Sequence, residues 1–162
     1  MDWSVALPNI WFLLITVLFT GFFVLEGYDF GVGVLAQLLG KDDVEKRVYF
    51  NTIGPFWDAN EVWLLTGGGA MFAAFPIWYG KLFSGYYIAF VLMLVALIFR
   101  GVSFEFRGKL GDNRKWIKAC DFAMFIGSLL PPVLWGVAVA NFMTGANIKK
   151  RKNLVDGFLG LL

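Results

Sequence analysis

The sequence predicts an all-α integral membrane protein, a bundle of four transmembrane helices. Hydrophobic residues make up 59% of the 162 residues and charged residues only 16%, a composition outside the range of soluble domains. The charged residues crowd into short stretches. The apolar runs between them have about the 20 residues that a helix needs to cross a bilayer. Lipid is therefore the expected solvent for most of the chain.

The composition also excludes several kinds of site. Histidine is absent and Cys120 is the single cysteine. Imidazole is a common protein ligand of haem iron, copper and zinc, so we expect this chain to hold no redox metal or other cofactor by itself. A lone cysteine excludes an internal disulfide. The net charge of +2 gives no indication of nucleic-acid binding.

The apolar runs define the predicted spans. The first follows an N-terminal segment that lacks the basic residues of a cleaved signal peptide, so we expect it to remain as a span. Pro131 and Pro132 lie in the middle of the fourth span, where the lost hydrogen bonds predict a kink. The spans are about 9–35, 55–79, 83–104 and 121–143. We expect the bundle to occupy 1–145, and a basic tail at 146–162 to approach a fifth span that is missing.

The links between the spans predict the orientation. The first link, from Lys41 to Arg47, mixes both signs of charge and is typical of a short solvated turn or a surface helix. Three Lys and Arg residues lie in the first link, one in the second and five in the segment 107–118. The positive-inside rule then places the first and third links in the cytoplasm and the N-terminus outside. The basic residues at 149–152 would lie outside, against the rule.

Ionisable residues approach one side of the membrane from all four predicted spans. Acids within a membrane usually mark a proton or ion path, and an arginine among them is the natural compensating charge. A spacing of three residues also places Glu26 with Asp29, and Asp58 with Glu61, on one helix face. The residues concerned are Glu26, Asp29, Asp58, Glu61, Arg100, Glu105 and Asp121.

Two interpretations of these residues remain open. In one, the acids carry protons. In the other, Asp58 and Glu61 lie at the positive end of a helix near water, and Asp29 pairs with Arg100 to hold the bundle together. The two are equally balanced for the Asp29–Arg100 pair, and the proton path is modestly favoured for Asp58.

The immediate sequence context separates some of these residues. Glu105 and Asp121 lie at the predicted interface, which favours a structural role. Asp58 lies between Trp57 and Trp63, a setting that suits a proton relay. Interfacial aromatic belts explain these tryptophans without a cofactor, although a quinone or a lipid tail could contact the same surface.

Five ordered motifs resemble subunit II of the cytochrome bd quinol oxidases. They cover nearly the whole chain, and the first is highly specific. The most specific motif is GPFWDANEVWLLTGGGAMFAAFP at 54–76. The other four, in chain order, are EGYDFGVG at 26–33, FSGYY at 83–87, FRGVSFEFR at 99–107 and GSLLPP at 127–132.

The resemblance implies a subunit of a terminal oxidase that takes electrons from quinol and reduces dioxygen to water in a bacterial or archaeal cytoplasmic membrane. It implies a partner subunit I with haems b and d, or b only, and it allows a small single-helix accessory subunit. This chain would be haem-free, stabilise subunit I and help to deliver protons. Asp58 would be the relay carboxylate, with Glu61 as a second proton carrier and Asp29 and Arg100 as support.

The chain departs from this family in length. Family members have eight spans in two related halves, and this chain resembles the N-terminal half only. A half-length unit with intramembrane acids is also typical of a secondary transporter or ion channel, which is the alternative function. A purely structural membrane scaffold is a third, weaker interpretation.

Overall fold

The fold is helical throughout the part of the chain that the structure describes. The computed structural model describes residues 2–111 and 113–144, and within them it contains helices and no strands. The all-α prediction is therefore confirmed, while the tail predicted at 146–162 lies outside the described residues. The helices are α1 (Trp3–Leu39), α2 (Asp43–Ile53), α3 (Trp57–Ala74), α4 (Pro76–Gly85), α5 (Tyr87–Phe106) and α6 (Arg114–Thr144).

Three of the described helices, α1, α5 and α6, are long and apolar enough to cross a membrane by length and composition. They correspond to the first, third and fourth predicted spans, with different ends. Many of their large apolar side chains are exposed, among them Leu13, Ile98 and Phe122. Lipid would cover this surface in a membrane.

The second predicted span is not one uninterrupted helix. It is divided into α3 and α4 at Phe75, whose backbone has a φ of −134° and a ψ of 62°. Pro76 is the cause, because a proline disfavours the α conformation of the residue before it and suits the first position of a new helix. The prediction of a continuous helix over 55–79 was wrong at this point.

The first link contains the surface helix α2. Asp42 caps its N-terminus, since its side chain accepts a hydrogen bond of 2.8 Å from the backbone N–H of Glu45. Glu45 in turn accepts from the backbone N–H of Lys41 at 2.9 Å. This reciprocal arrangement is close to a capping box, and it gives the short helix a defined start.

Helices α5 and α6 form the most extensive helix pair, and α1 packs against both α3 and α6. The close approach of α5 and α6 depends on Gly127. A Cβ built there would lie 2.6 Å from the backbone oxygen of Ala96 and 2.7 Å from the Cβ of Arg100. Small residues allow such contacts between helices in lipid. Helix α6 itself continues through Pro131 and Pro132.

Replacing Gly127 with alanine should destabilise the bundle by roughly 1–3 kcal/mol, because the new methyl group forces α5 and α6 apart. Thermal unfolding in mild detergent measures the effect. Gly136→Ala is the matched control in the same helix, since a Cβ there would meet nothing within 4 Å. The control should be neutral or slightly stabilising because alanine favours the helix. Equal stability of the two variants would contradict the role of Gly127.

Candidate functional site

The side chain of Arg100 connects three helices. It projects from α5 and is fully buried. Its Nη1 atom donates hydrogen bonds to Oε1 of Glu26 in α1 and to Oε1 of Glu61 in α3, the latter at 2.8 Å. A guanidinium has several donors in a fixed geometry, which suits it to bind two carboxylates at once. We call Arg100, Glu26, Glu61, Asp29 and Asn60 the arginine cluster.

Aromatic rings surround the guanidinium. The Cζ atom of Arg100 lies 4.9 Å from the ring centroid of Phe30, 5.6 Å from that of Phe104 and 6.0 Å from that of Trp57. The rings of Trp57 and Phe104 stack with centroids 5.1 Å apart. Each ring face attracts the cation and also excludes water from it. The cation is thus held between carboxylates and aromatic faces.

The hydrogen-bond partner of Asp29 is Asn60, not Arg100 as in the structural interpretation. Its Oδ2 atom accepts a hydrogen bond of 2.8 Å from Nδ2 of Asn60 in α3. The ion pairs of Arg100 within the described residues are those with Glu26 and Glu61. The Asp29–Arg100 pair of the structural interpretation is therefore not formed in the structure, and α1 is linked instead to α3 through Asp29 and to α5 through Glu26.

The acids of this region form a series of decreasing exposure. Asp58 is exposed, in the first turn of α3. One turn further along α3, the side chain of Glu61 is 22% exposed. The side chain of Glu26, in α1, is 0% exposed. Asp58 makes no hydrogen bond or ion pair with any described side chain. The series runs from the protein surface to the buried guanidinium.

The arginine cluster contains more acids than cations. The carboxyl groups of Glu26 and Glu61 pair with Arg100, and those of Asp29 and Asp58 lie in the same region without a pair to this cation. Among the described residues, three buried atoms of the central ion pair have no hydrogen-bond partner: Nε and Nη2 of Arg100, and Oε2 of Glu26. Buried polar atoms without partners are uncommon in native proteins.

The two tryptophans beside Asp58 have different surroundings. Trp57 stacks on Phe104, whereas Trp63 packs on the buried core of the bundle. A Cβ built on Gly21 of α1 would lie only 2.5 Å from Cε3 of Trp63, so a side chain at that position would displace the indole. Trp63 therefore fixes the spacing of α1 and α3.

A second charged network lies between the ends of the helices. Asp121 of α6 accepts from Nε of Arg107 at 2.6 Å and from Nζ of Lys46 at 3.2 Å. Asp43 of α2 accepts from Nη2 of Arg107 at 2.6 Å and from Nε of Arg47 at 2.7 Å. Although burial acts in the opposite direction, these two arginines lower the pKa of Asp43 below its ordinary value of 3.8.

The structural interpretation of Asp121 and Glu105 agrees with their contacts. Asp121 belongs to the network that attaches α2 to α6, and Glu105 forms an exposed pair with Lys109 at 4.0 Å. The sequence analysis used Lys46 and Arg107 only as signals of membrane topology. It did not predict that these two cations pair with the acids of α2 and α6. The spacing of four residues between Asp43 and Arg47 was one available signal. No signal in the sequence indicated the contacts between helices that are distant in the chain.

Sequence reasoning also missed the two phenylalanines that contact Arg100. Phe104 lies one helix turn after Arg100, so its spacing places it on the same face of α5. Phe30 lies in α1 and becomes a neighbour only when the helices pack. The 26–33 motif thus contributes Phe30 to the surroundings of Arg100 in addition to its acids.

These observations define a helical membrane protein without histidine, in which a buried arginine binds carboxylates from two other helices. The chain belongs to the family described as cytochrome bd terminal oxidase subunit II, whose sequence model matches residues 7–162. The resemblance stated from the motifs is therefore confirmed.

Individual relatives agree with this assignment. Cytochrome bd ubiquinol oxidase subunit 2 of Bacillus subtilis is 56% identical over 149 residues, which are 92% of this chain and 44% of that protein. Cytochrome bd-I ubiquinol oxidase subunit 2 of Escherichia coli K12 is 48% identical over 90% of this chain and 38% of its own length. A probable cytochrome oxidase subunit 2 of Haemophilus influenzae is 49% identical over 84% of this chain and 36% of its own length. The chain thus spans less than half the length of these curated relatives.

Arg100→Leu should destabilise the protein by roughly 3–5 kcal/mol, because it leaves the buried carboxylate of Glu26 without a cation. Thermal unfolding in detergent measures the loss. The double variant Arg100→Leu with Glu26→Leu should recover part of it, since the unpaired acid is then removed as well. If the loss of stability in the double variant equals the sum of the losses in Arg100→Leu and Glu26→Leu alone, the two side chains do not interact.

Proposed function

We propose that this chain acts as the haem-free subunit II of a membrane quinol:oxygen oxidoreductase of the cytochrome bd type. A partner subunit I carries the haems and oxidises quinol. The present chain stabilises that partner and helps to deliver protons for the reduction of dioxygen to water. Family membership supports the proposal, as do the names of the relatives from Bacillus subtilis and Escherichia coli, which are subunits of ubiquinol oxidases.

The composition of this chain favours a haem site on another subunit. The sequence has no histidine to serve as an axial ligand. Among residues 2–111 and 113–144, no group of three or more Cys, Asp or Glu side chains could hold a metal ion. The buried acid Glu26 is already bound by a guanidinium. The proposal therefore assigns the haems, b and d or b only, to subunit I.

The observation that carries the proton-delivery role is the series of acids from Asp58 to Glu61 and Glu26. Asp58 and Glu61 are three residues apart on α3, and Glu61 and Glu26 both accept hydrogen bonds from Arg100, so the three acids lie in order from the surface inwards. Arg100 supports the series because its positive charge stabilises a carboxylate that has just given up a proton. Ionisable residues inside a membrane protein are costly to bury and commonly mark proton or ion pathways.

Subunit I is the proposed recipient of these protons. Asp58 is exposed on this chain and makes no ion pair with its described neighbours, which leaves its carboxyl group free to face another subunit. Trp57 and Trp63 are the proposed aromatic surroundings of the relay, and a lipid or quinone tail would contact the same side of α3. A small single-helix subunit is a further proposed partner.

The membrane arrangement is also part of the proposal. Helix α3 has 18 residues, or about 27 Å, slightly less than the roughly 30 Å of a hydrocarbon core. Together with α4 it makes up the length of a second crossing, which gives four crossings in all. These would form half of an eight-helix subunit in the cytoplasmic membrane, with the N-terminus outside.

Purification from the native membrane with the partners retained tests the assignment to an oxidase. We expect a haem signal in the reduced-minus-oxidised spectrum, and quinol-dependent oxygen consumption by the same preparation. A haem-free preparation without a partner would refute the proposal. Ion or solute flux through vesicles containing only this chain would instead support the transporter alternative.

Asp58→Asn in the assembled oxidase should slow oxygen consumption by roughly tenfold or more, because the amide cannot release a proton. Haem content should stay unchanged, which separates proton delivery from assembly. Glu105→Gln is the control, since this exposed acid pairs with Lys109 outside the series. It should keep normal turnover. If Asp58→Asn turns over as fast as this control, Asp58 has no part in proton delivery.

A further inference from the structure

A charged cavity of about 630 Å³ lies away from the arginine cluster. It opens where α1 ends and where α2 and α6 begin. Gly40 and Ile117 contribute to its wall, and its other lining residues are charged. The cations are Lys41, Lys46, Arg114 and Lys118, and the acids are Asp42, Asp43 and Asp121.

The acids of the cavity are already bound within the protein. Asp121 accepts hydrogen bonds from Arg107 and Lys46, and Asp43 accepts from Arg107 and Arg47. Asp42 caps α2 through the backbone N–H of Glu45. Their negative charge is therefore largely compensated, and little of it remains to repel an anion.

Three cations of the cavity remain uncompensated. Lys41, Arg114 and Lys118 are exposed, and none of their side chains makes a hydrogen bond or an ion pair with a described residue. The first turn of α6 also contains no acid, so the positive end of its helix dipole adds to the same field. The cavity consequently has an excess of positive charge.

Apolar surface adjoins this charge. Leu38 and Leu39 immediately precede Gly40 and are 66% and 55% exposed, while Phe122 follows Asp121 and is 67% exposed. Helices α1 and α6 are both candidates to cross the membrane. The cavity therefore lies where an apolar helix surface meets a charged protein end, which is the level of lipid headgroups.

We propose that this cavity binds the phosphate group of an anionic membrane lipid. Lys41, Arg114 and Lys118 contact the phosphate, and the acyl chains lie along the exposed apolar side chains of α1 and α6. Basic pockets between transmembrane helices bind anionic headgroups in this way. The bound lipid would attach α2 to α6 in addition to the ion pairs of Asp121.

Native mass spectrometry of the protein in mild detergent tests the proposal, with its partner subunits retained. Phosphatidylglycerol is titrated against phosphatidylcholine, and inorganic phosphate is added as a competitor. The unmodified protein should bind phosphatidylglycerol in preference to phosphatidylcholine. Millimolar phosphate should leave that binding in place, because it lacks the acyl chains. Equal binding of the two lipids, or displacement by phosphate, would overturn the assignment to an anionic lipid.

A matched pair of variants locates the site. Lys41→Gln with Lys118→Gln should weaken phosphatidylglycerol binding roughly 20-fold, since each lysine near an anionic headgroup contributes substantially. Lys109→Gln with Lys115→Gln removes the same charge from exposed positions outside the cavity and should have little effect. Equal weakening by both variants would show attraction to the basic surface in general and would overturn the proposed site. Because equal binding of the two lipids by the unmodified protein would by itself overturn the proposal, a misfolded variant does not block the test.

Discussion

The burial of Arg100 is the constraint on which the arrangement of the helices depends. A guanidinium withdrawn from water needs carboxylates and ring faces in fixed positions, and here they come from α1, α3 and α5. Glu26 and Glu61 cannot meet this one side chain unless α1 and α3 lie at a defined depth and rotation. Gly127 and Gly21 make the required approach possible by leaving room beside Arg100 and Trp63.

Much of this architecture could be predicted from the sequence because hydrophobicity alone identifies the long helices. Of the seven ionisable residues that the sequence placed on one side of the membrane, the structure brings Glu26 and Glu61 to Arg100, whereas Glu105 and Asp121 pair with other residues. The pairing within the group could not be predicted. Helical spacing places Glu26 and Asp29 on one face, but only packing decides that Glu26 reaches Arg100 while Asp29 reaches Asn60. The break at Phe75 was overlooked because hydrophobicity continues through Pro76.

The two charged networks lie in different parts of the bundle. The arginine cluster lies among aromatic rings at the contact of α1, α3 and α5. The network of Arg107, Asp121, Lys46 and Asp43 joins the surface helix α2 to α5 and α6. Charged links therefore hold the bundle both at its centre and at the helix ends.

The interruption at Phe75 has a consequence for how this segment is stabilised. Helix α3 begins with polar residues and, unlike α1, α5 and α6, is not long and apolar enough to be a candidate span by itself. Its acid Glu61 pairs with Arg100, which belongs to the later helix α5. The charge of Glu61 is therefore compensated only after a later part of the chain has been synthesised.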